Sequence, residues 1–126
     1  MDAFDRLSPA LRIQIVNGMG WTALRPVQDR TIDAILDGAN CVVLAPTAGG
    51  KTEAAFFPLL SMMDTEDWRA TSVLYLAPIR ALLNNQEARL ERLTGLLGRR
   101  AFKWHGDVGA SARRRFTKDP ADVLAI

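Results

Sequence analysis

Eight consecutive residues concentrate the chemistry of this chain: Ala45-Pro46-Thr47-Ala48-Gly49-Gly50-Lys51-Thr52. A loop that wraps phosphate oxygens needs residues without side-chain bulk and with wide dihedral freedom, which Gly49 and Gly50 provide. Backbone N–H groups at the start of the following helix then converge as an anion nest. A lysine directly after the glycines reaches the β- and γ-phosphates, and the next hydroxyl ligates Mg²⁺. The spacing therefore predicts a nucleoside-triphosphate loop, with Ala45 in place of the usual first glycine. Pro46, Thr47, Ala48, Gly49, Gly50, Lys51 and Thr52 form the binding set, and Lys51 and Thr52 carry the catalytic roles. A plain strand–helix turn is the other reading of such a segment, and the flanking sequence argues against it.

Those flanks must position the loop. Residues 40–45 (Asn-Cys-Val-Val-Leu-Ala) form a short apolar run, as a buried parallel strand does. A helix is predicted from about Lys51, with Pro58 inside it as a kink or a mark of its second turn. Upstream, Ser8-Pro9 supplies a capping hydroxyl and a first-turn proline, and Gly18 a stop; Pro26 opens a second helix that Gly38 closes. Downstream, residues 72–77 read as a second buried strand. A long amphipathic helix follows, with Ile79, Leu82, Leu83, Leu90, Leu93 and Leu97 at three- and four-residue spacing and Gly98 as its end. A short strand near 100–104, a basic helix near 110–116 and a strand at 122–126 complete the pattern. Strands that alternate with helices predict an α/β fold with a parallel sheet. The segments divide as 1–38, the opening helices, and 39–126, the sheet-bearing part. The last residues, Asp-Val-Leu-Ala-Ile, lie inside an apolar run, which reads as a domain incomplete at its C-terminus.

The 126 residues are 48% hydrophobic and 24% charged, a globular rather than a disordered composition. Cys41 is the single cysteine, so no internal disulfide can form, and a reducing cytoplasm fits. No apolar run is long enough to span a membrane. Net charge is only +2, but residues 1–79 hold six Lys/Arg against nine acids, whereas residues 80–118 hold ten against three. The basic half, which includes Arg113-Arg114-Arg115, is either a polyanion-facing surface or a solvated face.

With these residues in view, the chain resembles superfamily 2 helicases of the DEAD/DEAH-box type. Pro-Thr-Ala-Gly-Gly-Lys-Thr-Glu resembles their motif I. Gly20-Trp21 and Arg25-Pro26-Val27-Gln28 resemble the Q motif, and Ala77-Pro78-Ile79-Arg80-Ala81-Leu82 resembles motif Ia. His105-Gly106-Asp107 is similar to the Gly-Asp turn of large helicase-related (Lhr-like) and Ski2-like helicases. The resemblance runs from about residue 4 to the end. It implies a RecA-like P-loop NTPase fold, a parallel sheet flanked by helices, with ATP and Mg²⁺ as cofactors.

It also implies residue roles. Gln28 reads adenine, since an amide can donate to N7 and accept from the N6 amine. The family's adenine-stacking aromatic, seventeen residues before the glutamine, falls on Leu11, which leaves Phe4 as the substitute. Trp21 is assigned to the core. Arg80, at a helix start, and Gly106 touch the nucleic-acid backbone; His105 is assigned no chemistry. DNA is favoured over RNA as substrate, and the partners implied are the nucleic acid and the remainder of a helicase chain. The acidic box, the Ser-Ala-Thr motif and a second RecA-like domain with arginine fingers do not occur in these residues, so the 126 residues alone are expected to be inactive. Two other readings stand beside the helicase: a different P-loop NTPase, such as a small kinase or GTPase, and a non-catalytic P-loop nucleotide-binding module. The Q-like segment argues against the first, and the intact Lys51-Thr52 pair against the second.

Overall fold

The computed structural model describes residues 2–46, 50–77, 80–104 and 108–126. The chain packs as two compact units, Met1–Asp67 and Trp68–Ile126.

The first unit is helical. Asp2 caps α1 (Ala3–Arg6), its carboxylate accepting from the Asp5 N–H at 3.0 Å. Ser8 caps α2 (Pro9–Ile13), its hydroxyl accepting from the Leu11 N–H at 3.4 Å. Ser8 is itself buried, and its own N–H donates to Ser61 Oγ at 2.8 Å, so the buried cap leaves no donor stranded. After α2 the chain widens into a π-helical turn, Gln14–Gly18, before α3 (Pro26–Leu36) and α4 (Lys51–Thr65). Both predicted helix starts, at Pro9 and Pro26, are present, and α4 runs through Pro58 to Thr65. Leu7, Leu11, Ile15, Ile32, Phe57 and Leu60 form the core of this unit. Each such side chain taken from water contributes about 1.5–3 kcal/mol. Arg6 bridges Asp33 at 2.8 Å and Asp37 at 2.6 Å, which ties α1 to α3; both carboxylates push the guanidinium pKa up, Asp37 more strongly.

The second unit is a three-stranded parallel sheet with helices in its connections. It comprises β1 (Val73–Tyr75), α5 (Arg80–Gly95), β2 (Ala101–Lys103), α6 (Ala110–Lys118) and β3 (Val123–Ala125). The strand order is β1-β3-β2, and both pairings are parallel. The last strand is therefore the central one, and Val123 and Ala125 are its buried residues. Leu90 and Leu93 bury one side of α5, and Glu87 on that helix accepts from Lys103 Nζ of β2 at 2.6 Å. Arg99 donates to the Trp68 carbonyl at 2.6 Å and to Asp122 at 3.0 Å, anchoring the start of β2 beside that of β3. The α/β class with a parallel sheet, as a RecA-like P-loop fold has, is thus the observed one.

Two expected strands differ from the structure. Residues 40–46 carry no strand, and Val42 and Leu44 are each 85% exposed. A strand exists only through the ladder it shares, and no described residue pairs with this run. Residues 72–77 do form β1, but not a buried strand: Leu74 is 62% and Leu76 70% exposed. Leu74 and Leu76, two apart, share one face of that run, and among the described residues that face is left open.

Candidate functional site

In the first unit the described part of the phosphate loop comprises Ala45, Pro46, Gly50, Lys51 and Thr52; Thr47, Ala48 and Gly49 lie outside the described residues. Gly50 is the N-cap of α4 at φ 77°, ψ 31°, the left-handed region where a side chain is strained. Its carbonyl accepts from the Ala54 N–H at 3.0 Å, the first bond of the helix. The N–H groups of Lys51 and Thr52 therefore precede the helical ladder and have no acceptor within it, as an anion site requires. Lys51 Nζ donates to the Ala45 carbonyl at 3.2 Å, so the ammonium folds back to the first residue of the loop. The Thr52 side chain is half-buried, and no hydrogen bond ties its hydroxyl to another described residue. Ammonium, hydroxyl and open N–H groups are the donor and ligand types that a triphosphate with Mg²⁺ calls for.

Gln28 joins this arrangement from α3 and is fully buried. Its Oε1 accepts from the Arg25 N–H at 2.9 Å, and its Nε2 donates to the Gly50 carbonyl at 3.3 Å. The amide thus links the start of α3 to the start of α4. A Cβ placed on Gly50 would collide with Gln28 Nε2, so any other residue there would displace the amide in addition to straining the dihedral.

A cavity of about 360 Å³ lies in the same unit, lined by Phe4, Val16, Trp21, Thr22, Leu24 and Asp29 among others. Leu11, the position that spacing assigned to the stacking aromatic, is fully buried in the core and lines no part of it. Phe4 is half-exposed and does line it. Trp21 takes both parts: its ring meets Phe57 edge-on at 5.4 Å, as a core residue does, and it also forms one wall. Val16 and residues 22–24 escaped the sequence reading. The π-helical turn that sets Val16 at the cavity leaves no compositional mark, and only adjacency to Trp21 pointed to 22–24.

In the second unit Arg80 is the first residue of α5, after the carboxyl end of β1, so its backbone stands where the motif predicted. Its side chain and Gly106, with His105 and Asp107, lie outside the described residues. In the basic cluster, Arg114 and Arg115 are exposed, while Arg113 sits over the Trp104 ring at 5.1 Å from its centre.

The family model for the DEAD/DEAH box helicase matches residues 25–126. A relative from Mycolicibacterium smegmatis, described as Lhr helicase/probable uracil glycosylase, is 33% identical over 121 residues, covering 82% of this chain and 8% of its own. The ATP-dependent RNA helicase DbpA of Escherichia coli is 34% identical over 99 residues, covering 77% of this chain and 21% of its own. The solved structure of Mycobacterium smegmatis helicase Lhr bound to ssDNA and AMP-PNP superposes with a TM-score of 0.81 at 30% identity, over 99% of this chain and 17% of that one. The chain thus spans a small fraction of the length of the relatives it matches. With the family model covering most of its residues and a parallel α/β sheet beneath them, the chain belongs to the DEAD/DEAH box helicase family.

Proposed function

We propose that this chain supplies the ATP-binding part of a nucleic-acid-dependent helicase, acting on DNA in preference to RNA. The observation that carries the reading is the junction of Gly50, Lys51 and Gln28: a left-handed glycine at a helix start, a lysine folded over the loop, and a buried amide bonded to that glycine. Pro46, Thr47, Ala48, Gly49, Gly50, Lys51 and Thr52 would hold the phosphates, with Lys51 on the β- and γ-groups and Thr52 on Mg²⁺. Bound there, ATP with Mg²⁺ supplies the energy of phosphoanhydride cleavage.

The chain's own residues orient that group and neutralise its charge. Gln28 retains one N–H and one oxygen lone pair beyond its two protein bonds, the pair of functions that adenine's N7 and N6 amine demand. Phe4 and Trp21 offer apolar walls for the base. Lys51 and Thr52 stabilise charge, while turnover needs a carboxylate to orient water and arginine fingers, worth about 10³–10⁵ in rate. The sequence of 126 residues contains no Asp-Glu pair of the acidic-box type. The division into opening helices at 1–38 and an ATP-binding part at 39–126 belongs to the same reading.

Arg80 and Gly106 would meet the sugar-phosphate backbone, the first through helix-start N–H groups and a cation. The preference for DNA is supported by the relative solved with ssDNA and AMP-PNP. Among the described residues no helix is long and apolar enough to cross a membrane, and a cytoplasmic setting accords with the lone, exposed Cys41. ATP hydrolysis by the whole protein, measured with and without single-stranded DNA or RNA, tests the proposal. Turnover that depends on Lys51 and rises more with DNA is expected. Turnover indifferent to both nucleic acids would overturn it.

A further inference from the structure

The second unit carries a cavity that the nucleotide and strand roles leave unused. It measures about 460 Å³ and is lined by Arg100, Ala101 and Phe102 at β2 and by Ala112, Arg115, Phe116 and Lys118 on α6, with Asp119 and Ala121 completing it. We infer that this groove docks an extended acidic segment of a partner protein, seating an apolar side chain against the outer edges of the stacked Phe102 and Phe116 rings and carboxylates on Arg115 and Lys118. The inference stands apart from the ATP site and goes beyond the helicase reading.

Three observations carry it. The first is charge. Arg100 is engaged, donating to the Asp119 carboxylate at 3.0 Å and to the Pro120 carbonyl at 3.3 Å. Arg115 and Lys118 are exposed and have no ion-pair partner among the described residues. Two open cations beside an apolar floor complement a ligand with both carboxylates and hydrocarbon.

The second is the strand edge. β2 is the end strand of the order β1-β3-β2. Its bonds to β3 run through the Arg100 carbonyl, which accepts from the Val123 N–H at 3.1 Å, and the Trp104 N–H, which donates to the Ala125 carbonyl at 2.7 Å. By the two-residue period of a strand, the peptide group of Ala101 faces the other edge, where an extended chain can add.

The third observation separates a peptide from nucleic acid. Arg100 precedes β2, and Lys118 to Ala121 precede β3, so the groove's cations stand at the amino ends of the strands. Ligand sites of parallel α/β sheets lie outside the carboxyl ends, where Arg80 opens α5 after β1. The aromatic faces are also engaged with each other. Phe102 and Phe116 stack at 4.9 Å and 27°, Trp104 meets Phe116 edge-on at 5.7 Å, and Arg113 covers Trp104. A nucleobase needs an open ring face to stack on; an aliphatic or aromatic side chain needs only the apolar floor.

Fluorescence anisotropy of the full chain with a labelled short peptide alternating Glu with Leu and Phe tests this. Saturable binding is expected. It should weaken about tenfold or more in the double variant Arg115→Glu with Lys118→Glu, and comparably in Ala112→Phe, which fills the groove without changing its charge. Circular dichroism melting checks that both variants fold, and either one alone is decisive if the other does not. An unlabelled single-stranded DNA oligonucleotide should leave the peptide bound. No saturable binding, or binding unchanged by Ala112→Phe, or equal binding of an all-Glu peptide, would overturn the inference. Competitive displacement by the oligonucleotide would do the same and assign the groove to nucleic acid.

Discussion

Replacing Gly50 by alanine probes the junction of loop and helix directly. Two penalties follow from the geometry. At φ 77° an alanine is forced into the left-handed region, which costs about 1–2 kcal/mol. Its Cβ also collides with Gln28 Nε2, an overpacking that costs about 1–3 kcal/mol as the buried amide is displaced. Gly50→Ala should therefore destabilise the fold by roughly 2–5 kcal/mol. Gln28→Ala removes the bonds to Arg25 and Gly50, at about 0.5–1.5 kcal/mol each, while the Gly50 carbonyl keeps its bond from the Ala54 N–H. Arg25 is exposed and Gly50 half-exposed, which favours the low end. In the double variant the collision partner is gone while the dihedral penalty remains. The two changes should then be less than additive, with a coupling of about 1–3 kcal/mol. Urea unfolding followed by circular dichroism on the parent, both single variants and the double variant gives that coupling. Additivity within about 0.5 kcal/mol would mean that the amide and the glycine do not touch as described, and the link between α3 and the loop would be lost with it.

Three further outcomes follow from the same structure. Phe4→Ala should weaken ATP binding by about 1–3 kcal/mol, the range of base–aromatic stacking, with little change in melting. Leu11→Ala should do the reverse, costing about 2–5 kcal/mol of stability with no nucleotide selectivity; calorimetric titration and thermal melts separate them. Arg80→Ala in the whole protein should leave ATP binding intact, weaken single-strand binding alike across sequences, and lower the slope of log affinity against log salt by roughly 0.7. Arg113→Ala should leave that slope nearly unchanged and cost roughly 0.5–1 kcal/mol of stability, because its cation is spent on Trp104.

The parts of the fold legible in the sequence were those written by local chemistry. Ser8-Pro9 and Pro26 start helices because proline fits the first turn, and Gly38 follows the end of α3 at positive φ, whereas α5 stops at Gly95, three residues before the expected Gly98. Gly50-Lys51 marks the head of α4 for the same kind of reason. What depended on distant pairing was not legible. The run 40–45 has the composition of a core strand, yet Val42 and Leu44 lie exposed, because composition does not contain a pairing partner. Val73–Tyr75 does find its partner in β3, fifty residues on, and only along one edge.

Within the candidate site, counting back from Gln28 led to Leu11, which helix packing had already claimed for the core, while Phe4 reached the cavity. The burial of Gln28 was hidden as well: a polar residue at a helix start reads as exposed until its amide is seen bonded to both Arg25 and Gly50.

The central claim is that Lys51 and its loop bind the triphosphate of ATP. Titration of a fluorescent ATP analogue with Mg²⁺ into the chain and into Lys51→Ala measures it most directly. Losing a charge-assisted contact to phosphate should remove about 1.5–3 kcal/mol, roughly ten- to a hundredfold in affinity, with the melting temperature retained because Lys51 is exposed. Equal affinity in the folded variant, or binding that persists without Mg²⁺ and is not displaced by ATP, would contradict the account.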